Sequence, residues 1–208
     1  MPRTDATPKP YHHGHLKQAL VDAAETLLVE QGIDKLSLRA VARCIGVSQT
    51  APYAHFADRQ ALLAAVAARG FECLTGCLRE AERNKAADLP LTQRLARAYV
   101  AFALEHPMRF RLMFGAALGS TGDAALQAAR AASYVPIREA VARRAEDAGA
   151  GPWADDASLA AWALVHGLAT LILDGGQPWP RDAAARDALV DSVVSVYSIE
   201  AMADRRRA

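Results

Sequence analysis

From Leu62 to Ala81 the apolar residues Leu62, Val66, Gly70, Cys73, Leu74, Cys77, Leu78 and Ala81 recur at helical spacing. Such a series lines one face of an α-helix; a strand, whose side chains alternate every second residue, would scatter it over both faces. With Asp58 as its cap and Arg83 near its end, the helix has roughly 25 residues, about twice the usual length in a globular domain. A helix that long is expected to connect two regions, and other helices must cover its apolar stripe. No stretch shows sustained period-two alternation of β-branched residues, and alanine and arginine, both strong helix formers, are abundant. The expected fold is all-α.

The remaining helices follow from stripes and stop signals. Residues 1–13 are polar and proline-containing and read as a mobile arm. Leu16, Leu20, Ala23, Ala24, Leu27 and Leu28 define a first helix to Gln31, stopped by Gly32. Ser37 sits where an N-cap belongs, ahead of Leu38, Val41, Ala42 and Ile45, and Gly46 ends that short second helix. A third segment runs from Ser48 to about His55, and the long helix follows from Asp58. Beyond NKAADLP, helices are expected over about Leu91–Glu105 and, after the break at His106-Pro107, over 108–115. Asp123 caps a long helix to about Ala148 that Pro136 should kink. Two more span about Asp155–Leu173 and Ala183–Met202. The chain thus reads as about nine helices, four then five, with an arm (1–13), a head (14–60) and a body (61–208).

Several function classes recede on composition and motif content. The formal net charge of +1 makes any nucleic-acid surface a local one, and it counts against a non-specific architectural DNA-binder. Three cysteines, odd in number and dispersed, fit a reducing cytoplasm. The longest apolar run, LAAWALVHGLATLIL (159–173), falls short of a membrane span and contains His166 and Gly167. The N-terminus has no apolar signal core. No nucleophile elbow, P-loop, HExxH or GxGxxG occurs, and acid pairs such as Glu146-Asp147 and Asp155-Asp156 fall at helix ends, so no catalytic residue is assigned. His12, His13 and His15 lack a carboxylate or thiol in register, and Cys73 and Cys77 sit on the apolar stripe as small hydrophobes. No metal or cofactor is expected.

Residues 38–56 have the layout of a helix-turn-helix: small Ala42 where the helices cross, Gly46 at the turn, and Val41, Ile45 and Val47 between them. Many packing hairpins share that spacing. The second segment, however, presents Gln49, Thr50, Tyr53 and His55, side chains suited to base edges and phosphates rather than to a core. Pro52 falls within it, and the recognition helix can start at Ser48 or about Thr50; the choice decides which of Gln49 and Thr50 reaches a base.

The order of parts carries a resemblance. The stretch from YHHGHL through LVDAAETLLVEQGIDKLSLRAVARCIGVSQTAPYAHFADRQALLAAV resembles the DNA-binding domain of the TetR family of bacterial transcriptional regulators. WALVHG and the preceding HPMRFRLMFG resemble the effector and dimerisation domain of the family's WHG-type subgroup. The resemblance implies that Ser37 and Arg39 contact backbone phosphate and that Gln49, Thr50 and Ala51 face base edges in the major groove. Tyr53 and His55 would touch phosphate, and Arg59 would anchor the start of the long helix to the same strand. His15 stands where an Asn or Asp cap is usual, leaving Gly14 to cap the first helix. The Gln49-Thr50 pair is this chain's own, so no relative supplies the operator sequence.

The function expected is therefore a ligand-responsive repressor, not an enzyme, that binds double-stranded palindromic DNA as a homodimer. Ala160, Ala161, Ala163 and Leu164, with Leu189, Val193, Val196 and Tyr197, give the last two helices an apolar face for a dimeric four-helix interface. An effector pocket is expected where Phe102, Phe110, Met113, Phe114, Tyr134, Trp162 and His166 cluster, suited to an apolar or aromatic small molecule. His166 fits either that pocket or a core position satisfied by a hydrogen bond. The rival expectation is a helical small-molecule-binding protein or enzyme without specific DNA binding, in which residues 49–55 are buried.

Overall fold

The computed structural model describes residues 13–84, 89–119, 122–149, 151–176 and 178–196, with the backbone alone at 13 and 14. The expected arm over residues 1–12 lies outside this set, as do Tyr197 and the rest of the last helix to Met202. All regular structure among the described residues is helical. Eight α-helices follow one another: α1 (His13–Gln31), α2 (Leu38–Cys44), α3 (Arg59–Arg83), α4 (Leu91–Glu105), α5 (Pro107–Phe114), α6 (Ala124–Asp147), α7 (Ala154–Asp174) and α8 (Ala183–Val196). The ninth expected helix is a single 3-10 turn, Ala51–Ala54.

The helix ends follow local chemistry. Ser37 Oγ accepts from the Ala40 N–H at 3.2 Å, Asp58 Oδ1 from Ala61 at 2.8 Å, and Asp123 Oδ1 from Leu126 at 2.8 Å. Each oxygen satisfies an amide that the first helical turn leaves without an internal partner. Gly32 (φ +83°) and Gly46 (φ +71°) end α1 and α2 in the left-handed region that glycine adopts at least cost. One expectation fails. His13 and Gly14 already lie inside α1, so neither Gly14 nor His15 caps it.

α3 is the hub. It packs on α1 at the head and on α4, α5 and α6 in the body, so it spans both regions and is also a core helix. Its buried face is Leu62, Leu63, Val66, Ala67, Gly70, Phe71, Leu74 and Leu78, with Ala64 and Ala68 beside it. The stripe is rotated from the one expected: Cys73 is exposed and Cys77 half-buried, so Cys73 is not a packed hydrophobe. Neighbours cover α3 from more than one side, and the bulkier Phe71 takes an inward position. At Gly70 the approach of α5 is close, since a Cβ there would stand 2.7 Å from Met113 Sδ and 3.1 Å from Arg109 Cγ.

In the body α7 packs on α4 and α6, and α8 on α4 and α7. α8 buries only Val190 and is fastened by Arg97 of α4, which pairs with Asp187 and Asp191. Pro136 lies buried inside α6 and removes the amide that the Ala132 carbonyl would otherwise accept from. α3 and the stretch Gly151–Asp174 are each long and apolar enough, by length and composition, to cross a membrane. The second exceeds the run read from the sequence because the helix begins before Leu159. α3, however, has its apolar face filled by protein.

Candidate functional site

The head is built on α1, whose Leu20, Ala24, Leu27 and Leu28 are buried with Leu36, Leu38, Val41, Phe56 and Leu62. On this support the chain turns at Gly46, and the Val47 N–H reaches the Ala42 carbonyl at 3.1 Å. Ser48 Oγ then accepts from the Ala51 N–H at 3.2 Å and pairs with the Thr50 hydroxyl at 3.1 Å. Helical geometry begins at Ala51 with Thr50 as cap, so the later of the two expected starts is the one adopted, as a 3-10 turn. Pro52 is buried in that first turn, where its missing N–H costs no helical hydrogen bond.

The YAHF motif divides between two tasks. Phe56 enters the core at 3% exposure, while Tyr53 projects outward at 51%. Gln49, Thr50 and Arg39 are exposed; Ser37, Ala51 and His55 are half-buried. Ser37 Oγ is engaged as a cap, yet its proton can still be donated. Arg59 also holds its own chain. Its Nε donates to the Leu36 carbonyl at 2.7 Å and its Nη2 to that of Ile33 at 2.6 Å, tying the α1–α2 connection to the start of α3. Nothing in the sequence near Arg59 marks those carbonyls as its partners.

In the body a cavity of about 740 Å3 lies among α3–α7. Of the seven residues expected there, Met113, Phe114, Tyr134 and Trp162 line it. Phe110 and His166 form the layer behind, with His166 4.6 Å from Phe114 and stacked on Trp162 at 5.3 Å between ring centroids. Phe102 is a correction: it is buried against His106, 5.2 Å away, and lines no part of the cavity. Phe102 stands one turn further along α4 than the cavity residue Tyr99, beyond the end of the cavity lining. A second cavity, about 50 Å3 between α4, α6, α7 and α8, has room for a water or two.

Tyr99 is the residue missed. Its hydroxyl is 2.9 Å from His166 Nδ1. A neutral imidazole accepts at one ring nitrogen and donates at the other, and a phenol does either, so one hydrogen bond joins the pair in either tautomer. Burial pushes the Tyr99 pKa up and the His166 pKa down, so both are neutral at pH 7. A buried tyrosine on an apolar stripe needs a partner for its hydroxyl, which was the available signal. His166 is half-buried, with this hydrogen bond on one side and the cavity residues Phe114 and Trp162 on the other.

Two family models match the chain: "Bacterial regulatory proteins, tetR family" over residues 20–66, and "Tetracyclin repressor-like, C-terminal domain" over residues 92–197. A solved protein of unknown function from Rhodococcus sp. RHA1 is 36% identical, with a TM-score of 0.76 over 91% of this chain and 98% of that one. The TetR family transcriptional regulator PfmR from Thermus thermophilus shares the fold at 19% identity, with a TM-score of 0.58 over 85% of this chain and 97% of that one. A curated relative, the uncharacterized HTH-type transcriptional regulator YobS of Bacillus subtilis (strain 168), is 31% identical over 94 residues, 45% of this chain. The match spans about half of that relative, 49% of its length.

Proposed function

Because this chain belongs to the TetR family, as a DNA-binding transcriptional regulator and not an enzyme, we propose that it is a ligand-responsive repressor acting as a homodimer on a palindromic operator. The observation that carries this reading is the split of residues 49–56. Gln49, Thr50 and Tyr53 are presented to solvent by a turn that Pro52 and Phe56 pin to the core. A purely structural role for this segment would have buried those side chains, which counts against the rival of a helical binding protein or enzyme without specific DNA contacts.

Gln49, Thr50 and Ala51 face base edges, and Ser37, Arg39, Tyr53 and His55 meet phosphates. Arg59 supports them by fixing the α1–α2 connection, in keeping with its two carbonyl bonds. The head covers residues 14–60 and the body 61–208, with α3 as the connector. The 740 Å3 cavity takes an apolar or aromatic effector. A ligand changes the spacing of the two heads only as far as it prefers one spacing. The exposed apolar face of α7 with α8 makes the dimer, and the two-fold axis makes the operator palindromic. Such a protein works in the cytoplasm, where bacterial DNA is.

The test is a selection of bound DNA followed by gel-shift titration. Thr50→Ala with Tyr53→Ala should lower affinity for the selected palindrome at least tenfold, since each lost base or phosphate contact is worth about 1–3 kcal/mol. Unchanged affinity would remove residues 49–55 as the recognition element.

A further inference from the structure

The cavity wall is not uniformly apolar. Gln127, Arg130, Tyr134 and Arg138 line it from one face of α6, at spacings of three and four residues. Among the described lining residues Asp155 is the single carboxylate. Asp155 and Arg138 both act on the Tyr134 hydroxyl: burial and then Asp155 push its pKa up, Ser158 and then Arg138 pull it down, and the net shift is upward. These two charges therefore act on one hydroxyl in opposite directions, Asp155 the more strongly.

Arg130 has no such offset. The neighbouring Arg97, Arg109 and Arg111 each hold an Asp or Glu, whereas Arg130 forms no ion pair with a described residue. Its guanidinium lies over the Phe71 ring, 5.4 Å from the centroid, at the solvent side of the cavity. A guanidinium over an aromatic face keeps N–H groups for a second partner, and a carboxylate matches the guanidinium fork with two parallel hydrogen bonds. A neutral ligand covering Arg130 would strip water from a cation and give nothing equivalent back.

We infer that the cavity selects a carboxylate-bearing amphiphile, with the anionic head on Arg130 and the apolar body against Leu74, Met113, Ile137 and Trp162. The assignment rests on reading the cavity as the effector site and adds the chemical class. A volume of about 740 Å3 suits a ligand of ordinary small-molecule size.

The test is calorimetric titration of the full chain with decanoate, 1-decanol and decyltrimethylammonium, which share a tail and differ in head. Decanoate should bind about tenfold or more tightly than the other two, the discrimination of about one partly exposed charge-assisted contact. Arg130→Gln should bring decanoate to within about twofold of 1-decanol and leave 1-decanol unchanged. As a readout needing no variant, raising salt should weaken decanoate and not 1-decanol. Equal binding of decanoate and 1-decanol, a preference that survives Arg130→Gln, or no binding by any probe overturns the assignment. Operator affinity is measured separately. Decanoate that binds with the expected preference yet leaves operator affinity unchanged defeats the effector reading and leaves the ligand class standing.

Discussion

At the scale of single residues, Tyr99 and His166 make the clearest prediction because one hydrogen bond joins a buried ring to a half-buried one. Removing the hydroxyl with Tyr99→Phe leaves Nδ1 of His166 without its partner, a loss of about 1–2 kcal/mol for a partly buried group. Chemical denaturation at pH 7.5 measures it, and a loss indistinguishable from zero would mean that water replaces the hydroxyl freely. The same pair predicts a pH dependence. Burial holds the His166 pKa below its ordinary 6.5, so in mild acid the unfolded chain takes up a proton that the folded one refuses. The stability this gives is fully present above about pH 6.5 and is lost as pH falls through the lower folded value. The denaturation midpoint should therefore drop further between pH 7.5 and 5.5 in the wild type than in His166→Phe; equal drops would contradict it. The sequence made His166 visible as a polar residue on an apolar helix. It marked Tyr99 only as a tyrosine on an apolar stripe and could not name His166 as its partner, because which stripe residues meet across helices is decided by packing rather than by local order.

At the scale of elements, caps were the most legible feature: Ser37, Asp58 and Asp123 each bind the amide three residues on, as their positions ahead of apolar stripes suggest. Where long-range contacts decide, the sequence was mute. Arg59 opens α3 and in isolation is one more exposed helix residue, yet it closes the α1–α2 connection through two carbonyls. Arg59→Met keeps the stem and removes the fork. It should cost about 2 kcal/mol, since hydrogen bonds from a charged donor are worth about 1.5–3 kcal/mol. Operator affinity should fall with it, because Ser37 and Arg39 stand directly after the carbonyls it holds. A variant as stable as the wild type would reduce Arg59 to a surface charge. The Ala51–Ala54 turn is shorter than its side chains suggest for a related reason: a proline and a two-residue overlap with the Ser48 turn favour 3-10 bonding, and an α-type bond follows at the exit, where the Phe56 N–H reaches the Pro52 carbonyl at 2.9 Å.

At the scale of the molecule, the all-helical class and the sequence of helices were readable from periodicity, while the orientation of α3 was not. Two adjacent stripes compete on that helix, and the one richer in bulky apolar volume faces inward, taking Phe71 in and turning Cys73 out. α7 shows the opposite imbalance. It is among the most apolar helices in the chain yet buries few side chains, and Leu171 is 57% exposed. If that face is the dimer contact, Leu171→Glu should shift the protein toward monomer in analytical ultracentrifugation without lowering monomer stability, because the residue touches little within its own chain. An unchanged sedimentation coefficient would move the interface elsewhere.

The missing Cβ of Gly70 has a mechanical consequence. Met113 lies directly on the backbone of α3 there while also forming part of the cavity wall. No side chain stands between them to act as a cushion. A ligand that drives Met113 outward therefore leans on the backbone of the longest helix, and cavity size and helix position behave as one mechanical coordinate.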